Sequence, residues 1–313
     1  MNVYAKQEIE AIAAKTHFIK SNVEKVVRLI DILSYIHTTS PDTGEFALKG
    51  GTAINLCILD IPRLSVDIDL DFAQNLSKED TAVVRQAFKR TFNEFVLDSG
   101  YSISEKARGH YAMDSFLLTY DTISGNTDNI RVEINYLDRA HILPYCVLST
   151  IMLGSHKAQT RMLDPLELIA SKANALLSRQ ASRDLYDMYQ LIQKGIISDI
   201  PLFRKCLVFY NLVGGGMDID TISSNVLKKY TYNEIKKYLK PVLAKNDDFS
   251  CDRALLIVKE FLDEVLVLNE KEKQFCKDFR NGAYNPGLLF DDETTIERIH
   301  NHPMAVWRTR ATQ

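Results

Sequence analysis

Apolar positions recur at helical spacing soon after the N-terminus. Val23, Val26, Val27, Leu29, Ile30, Leu33 and Ile36 form one stripe, and with the segment from Lys6 they predict two helices ending near His37. Thr38–Glu45 (TTSPDTGE) has the composition of a loop. Phe46-Ala47-Leu48 reads as a short buried strand running into Gly50-Gly51, and Thr52–Leu59 as a short helix. From Val66 to Phe72 apolar and acidic residues alternate without a break, the period of a strand. Thr81–Leu97 reads as an amphipathic helix, and Tyr101–Ile103, Phe116–Tyr120 and Ile130–Tyr136 as strands. The Gly-, Asn-, Thr- and Asp-rich segment Asp121–Asn129 reads as a hairpin loop.

The pattern changes near Leu163. Asp164-Pro165-Leu166-Glu167 is a strong helix start, with Asp164 as N-cap, Pro165 in the first turn and Glu167 completing a capping box. Helical periodicity continues to about Asn281, interrupted at Gly214-Gly215-Gly216, and the tail from Tyr284 has mixed signals. The expected organisation is α+β: a mixed-sheet domain with flanking helices over residues 1–162, then a mainly helical domain over 163–313.

Composition narrows the function classes. The 313 residues are 46% hydrophobic with a net charge of −3. That is enough apolar material for one large domain or two small ones. Any nucleic-acid contact must come from a local basic patch rather than a bulk positive field. Five widely spaced cysteines without a Cys-x-x-Cys pair support neither a disulfide framework nor a zinc cluster, and fit a reducing compartment. No secretory signal is visible, and no apolar stretch approaches a membrane span. A cytoplasmic protein without membrane contact is expected.

The alternation at Val66–Phe72 puts Asp67, Asp69 and Asp71 on one face of a strand. Aspartate is depleted in strands, and like charges on one face repel. A divalent cation would offset that repulsion, since Mg²⁺ takes oxygen ligands from one or two carboxylates together with substrate phosphates. Just upstream, Leu48-Lys49-Gly50-Gly51-Thr52 runs from a strand end into a glycine pair and a helix start. There the backbone can approach a ligand closely, N–H groups can bind phosphate, and Thr52 adds a hydroxyl donor.

Gly50-Gly51-Thr52 followed by Asp67-Ile68-Asp69 resembles the signature of the DNA polymerase β-like nucleotidyltransferase superfamily. The longer string through Arg63-Leu64-Ser65-Val66 to Asp71 resembles the AbiEii/AbiGii nucleotidyltransferase toxin family in particular. The superfamily has a third carboxylate on a neighbouring strand, and Glu133 within Arg131-Val132-Glu133-Ile134-Asn135 is the candidate, with Asp71 as competitor. A second resemblance lies in Glu167–Lys172, Arg179 and Arg183-Asp184-Leu185-Tyr186-Asp187. It implies that Lys172 contacts the triphosphate and that Asp184 is a catalytic or lysine-orienting carboxylate.

The resemblance therefore implies a toxin of a type IV toxin–antitoxin or abortive-infection system. Asp67, Asp69 and Glu133 would hold two Mg²⁺ ions, and Gly50, Gly51, Thr52, Ser65 and Lys172 would bind the phosphates of an NTP. The implied acceptor is RNA, in particular the 3′ end of tRNA, and the implied partner a cognate antitoxin of the AbiEi type. Lys228-Lys229-Tyr230-Thr231-Tyr232 and Lys236-Lys237-Tyr238-Leu239-Lys240 interleave basic and aromatic residues, a composition able to contact phosphates and stack on bases. Two other readings stay open: a small-molecule or protein acceptor, and a non-catalytic nucleotide-binding interaction module.

Overall fold

Two helices open the structure, a computed structural model that describes residues 4–104, 110, 112–216, 218–220 and 222–311. Helix α1 spans Lys6–Thr16 and α2 spans Lys20–Thr43. Most of the expected loop, residues 38–43, is instead the last turns of α2, and only Gly44 and Glu45 lie outside the helix. Hydroxyls of Thr38, Thr39 and Thr43 donate to carbonyls one turn back, at Ser34, Tyr35 and Thr39, so residues that favour loops by composition are accommodated within a helix.

Seven strands follow in the order β3-β4-β5-β2-β1-β7-β6: β1 Phe46–Lys49, β2 Asp67–Phe72, β3 Ser102–Ile103, β4 Met113–Asp121, β5 Thr127–Asn135, β6 Cys146–Ser149 and β7 Gln159–Met162. Strands β6 and β7 are additions to the sequence reading. Each has only four residues, too few for a period to be recognised. Helix α3, Gly50–Ala53, continues as a π-helical turn, Ile54–Ile58. Helix α4, Lys78–Asp98, starts earlier than expected because the Ser77 hydroxyl caps it by accepting from Asp80 N.

The sheet is apolar on the face covered by α2 and α4. Phe88 and Phe92 of α4 are at most 1% exposed and pack with Phe46 and Phe116, and Phe46 packs in turn with Phe72. Burial of each such side chain contributes about 1.5–3 kcal/mol. With that face committed to the core, the alternation of β2 sends its aspartates to the other.

The remainder is helical: α5 Pro165–Arg179, α6 Ser182–Gln193, α7 Ile200–Gly214, α8 Tyr232–Glu234 with a π-helical continuation Ile235–Leu239, α9 Cys251–Val265, α10 Glu270–Arg280, α11 Glu293–Ile299 and α12 Pro303–Ala311. The last two lie in the tail left unassigned from sequence. Helix α7 ends at the glycine run, where Gly215 has φ +68°, as the break in periodicity predicts. Asp164 caps α5 by accepting from Leu166 N at 2.8 Å. The other half of the expected capping box is corrected. The Glu167 carboxylate accepts from Ile142 N and Leu143 N at 2.9 and 2.7 Å, and from the Tyr210 hydroxyl.

The chain divides into two compact units. One comprises residues up to Arg139, Tyr145–Met162 and Val242–Asp247; the other comprises Ala140–Pro144, Leu163–Pro241 and residues from Asp248. Glu167 anchors Ala140–Pro144 within the second unit. In the first, Val242–Asp247 returns to the segment before β2, with Leu64 N donating to Val242 O at 2.8 Å. Among the described residues no helix is long and apolar enough to cross a membrane.

Candidate active site

Strand β2 lies between β5 and β1. Its register sets Asp69 opposite Lys49 on β1 and Glu133 on β5, and Asp67 opposite Arg131. Residues paired across strands share a face, so Asp67, Asp69 and Glu133 are gathered on one side. Ile68, Leu70, Val132 and Ile134 are at most 1% exposed on the other. The three carboxylates are half-buried. The Ser115 hydroxyl donates to Glu133 at 3.3 Å, and Arg131 Nη1 lies 3.5 Å from it.

Asp71 is on the same face but is held differently. It is buried and ion-paired with Lys49. Burial would lower the pKa of Lys49, but Asp71, Asp138 and Asp69 outweigh it and hold the ammonium above its ordinary range. Lys49 therefore neutralises Asp71, which leaves the competitor for the third carboxylate inside an ion pair.

The glycine turn sits directly against this acidic face. Gly50 has φ +70°, and a Cβ there would lie 2.6 Å from Asp69 Oδ2. A Cβ on Gly51 would lie 2.7 Å from Arg63 Nη2 and 3.1 Å from Ser65 Oγ. Only glycine leaves that space open. The N-cap of α3, Lys49, makes no side-chain cap, so the first-turn amides keep their donors for another partner. Thr52 is fully buried and its hydroxyl donates to the Asp67 carbonyl. That corrects the expected hydroxyl donor to phosphate: the hydroxyl pins the turn to β2.

Arg63 and Ser65 reach the turn by a strained route. Asp60 and Ile61 have φ of +61° and +46°, and the left-handed region is rare for a β-branched residue such as Ile61. Ile61 N donates to Asn55 O at 2.8 Å to hold the bend. Arg63 and Ser65 are 2% and 8% exposed. Arg63 and Lys49 were not singled out from sequence. Both stand within the motif strings, but only the register and burial reveal what they touch.

The donor set fits Mg²⁺. Among the described residues no three His, Cys, Asp or Glu side chains form a ready-made metal cage. Asp67, Asp69 and Glu133 are hard oxygen donors on one face, and the side-chain-free Gly50 leaves space at Asp69 Oδ2. Mg²⁺ is commonly bound in this way, by one or two carboxylates with waters and substrate phosphates completing the shell.

In the second unit, Lys172 on α5 and Asp184 on α6 are brought together. Lys172 Nζ lies 3.0 Å from Asp184 Oδ1 and 3.1 Å from Asp187 Oδ2. Arg179 Nε and Nη2 donate to Asp184 at 2.7 and 3.0 Å. The spacing explains the encounter: Asp187 follows Asp184 by three positions, and Arg179 follows Lys172 by seven, so each pair shares a helix face. Burial would raise the pKa of Asp184, but Lys172 and Arg179 outweigh it and hold the carboxyl below its usual range.

The family model of the nucleotidyl transferase AbiEii toxin, type IV toxin–antitoxin system, matches residues 31–274. That span takes in both groups of residues. The fold is similar to the nucleotidyltransferase toxin MenT4 of Mycobacterium tuberculosis H37Rv, at 15% identity and TM-score 0.61, covering 97% of this chain and 99% of that one. A search of curated proteins gives no match. The chain belongs to the AbiEii family of type IV toxin–antitoxin systems and is a nucleotidyltransferase.

Proposed function

We propose that the protein transfers nucleotides from an NTP to an RNA acceptor, the 3′ end of tRNA, in a Mg²⁺-dependent reaction, and so inhibits translation. The observation that carries this reading is the pairing of Asp69 with Glu133 on adjacent strands, with the Gly50 turn against them, in a chain of the AbiEii family. Asp67, Asp69 and Glu133 are the residues to hold two Mg²⁺ ions. When bound, these supply Lewis-acid stabilisation of charge on the α-phosphate and the departing pyrophosphate.

The chain's own contribution is positioning and electrostatics. The amides of Gly50, Gly51 and Thr52 and the Ser65 hydroxyl receive phosphate oxygens. Lys172 balances triphosphate charge, and the 3.0 Å contact from Asp184 supports an orienting role for that carboxylate. The acceptor oxygen bonds to the α-phosphorus as the bond to the β-phosphate oxygen breaks. A family of toxin–antitoxin systems implies an antitoxin, and we assign it to the AbiEi type.

The test is incubation of the purified protein with each labelled NTP, Mg²⁺ and total tRNA, beside Asp69→Ala. Label on RNA with the wild type alone is the expected result and names the nucleotide. Label on a small molecule or protein and none on RNA would overturn the acceptor assignment. An RNA acceptor also predicts a KM that rises steeply with salt.

A further inference from the structure

The second unit holds a cavity of about 260 Å³ where α5 gives way to α6. Its wall includes Arg179, Arg183, Lys228, Tyr230, Glu234 and Tyr238. Three cations therefore face one carboxylate. Glu234 is engaged locally: Lys228 Nζ lies 2.6 Å away, and its other oxygen closes a capping box with Thr231. Arg179 is paired with Asp184. Arg183 makes no ion pair among the described residues, so its charge is available at the cavity wall.

Three further features have the same chemistry. Ala181, the N-cap of α6, provides no side-chain cap, and Ser182 and Arg183 at its first turn line the cavity, so donors and the positive end of the helix dipole face it. The Tyr230 hydroxyl is shielded from solvent and has no hydrogen-bond partner among the described residues. A buried polar group in that condition normally has a partner. Beside the cavity, Tyr232 and Tyr238 are 68% and 48% exposed. Lys236 Nζ lies 6.0 Å from the Tyr232 ring centre, and Lys237 Nζ lies 4.9 Å from that of Tyr238. Exposed rings flanked by cations are stacking platforms for bases along a phosphate backbone.

We propose that this cavity and the tyrosine–lysine ridge beside it dock an unpaired RNA strand. A phosphate sits on Arg183, Arg179 and the start of α6, and neighbouring bases stack on Tyr238 and Tyr232. The volume is below that of pockets enclosing a whole drug-sized ligand, which suits one phosphate and sugar of a strand better than a free NTP. The inference rests on the RNA-acceptor reading and adds the surface that captures the acceptor.

The experiment is fluorescence anisotropy of a 5′-labelled oligoribonucleotide with an unpaired 3′ segment, against a blunt RNA hairpin, without NTP or Mg²⁺. The full chain is compared with Tyr232→Ala/Tyr238→Ala, Arg183→Ala and Asp69→Ala, each checked by thermal unfolding. The wild type should prefer the unpaired strand. The double tyrosine variant should weaken binding by about tenfold or more. Arg183→Ala should reduce the slope of log affinity against log salt by about 0.7, the loss of one phosphate contact to a single strand. Asp69→Ala should bind as the wild type does. Tyrosine and Arg183 variants that fold and bind RNA unchanged, while the wild type still labels RNA, would overturn the docking surface alone. A wild type that labels another acceptor and binds no RNA would overturn both readings.

Discussion

On β2, Asp67 and Asp69 stand half-buried two residues apart on one face, with Glu133 beside them on β5. On α5 and α6, Lys172, Asp184 and Asp187 are at most 6% exposed and spend their charge on one another. The first arrangement gathers like charges where a solvent-borne ligand can reach them. The second gathers opposite charges that are almost wholly buried. Like charges on one face oppose folding, whereas a buried lysine and its carboxylates depend on each other for the cost of leaving water. The acidic face therefore has the character of a site open to a ligand, and the helix cluster that of charges held in place by one another.

Asp69→Asn breaks the comparison most sharply. Transfer should fall by about 1,000-fold, the range seen when a group that stabilises transition-state charge is lost. The midpoint of denaturant unfolding should change little, because Asp69 is half-buried and the loss of its attraction to Lys49 is offset by relief of its repulsion with Glu133. Parallel loss of activity and stability would mean that Asp69 is structural.

Lys172→Met should show the reverse weighting. It leaves two buried carboxylates facing each other, and breaking a buried pair costs about 3–5 kcal/mol. Equilibrium denaturation reads this directly, and a loss below about 1 kcal/mol would mean that the cluster is open to water. Lys172→Met combined with Asp184→Asn and Asp187→Asn should recover much of the stability without restoring transfer.

Acid titration sharpens the same contrast. Lys172 and Arg179 hold Asp184 below its usual range, so between its folded and unfolded pKa values the native state binds fewer protons. Stability then rises with pH in that window. The contribution is fully present above about pH 4, the ordinary carboxylate value, and is lost as pH falls through the folded value. Asp184→Asn should therefore be less stable than wild type at neutral pH and flatten the acid loss of stability followed by circular dichroism. An unchanged acid limb would mean that the pairing is absent in solution.

How much of this was legible from sequence follows from the range of each interaction. The acidic face was readable because a period of two and a buried opposite face are local. The glycine turn was readable from its adjacency to a strand. The Lys49–Asp71 ion pair was not, because it requires the β1–β2 register. Glu167 looked like a cap because its helix-start spacing is local, yet Ile142 and Leu143 claim it, 25 and 24 residues away in sequence. Thr52 was read as a ligand donor, and its hydroxyl serves Asp67 instead. The donor type was visible in the chain, but its recipient was fixed only by tertiary placement.

Asp71 gives the smallest effect and the finest test, because it shares the face of Asp67 and Asp69 and the pairing habit of Lys172. Asp71→Asn removes the charge that Lys49 answers. The Lys49 side chain is 27% exposed against 6% for Lys172, so its ammonium can turn toward water once unpaired. The stability loss should be about 1.5–3 kcal/mol, the scale of one charged hydrogen bond, and smaller than for Lys172→Met. Transfer should fall by less than tenfold, since Lys49 can then approach Asp69 opposite it but no phosphate or metal donor is removed. A loss of transfer as deep as that of Asp69→Asn would place Asp71 among the metal ligands in place of Glu133.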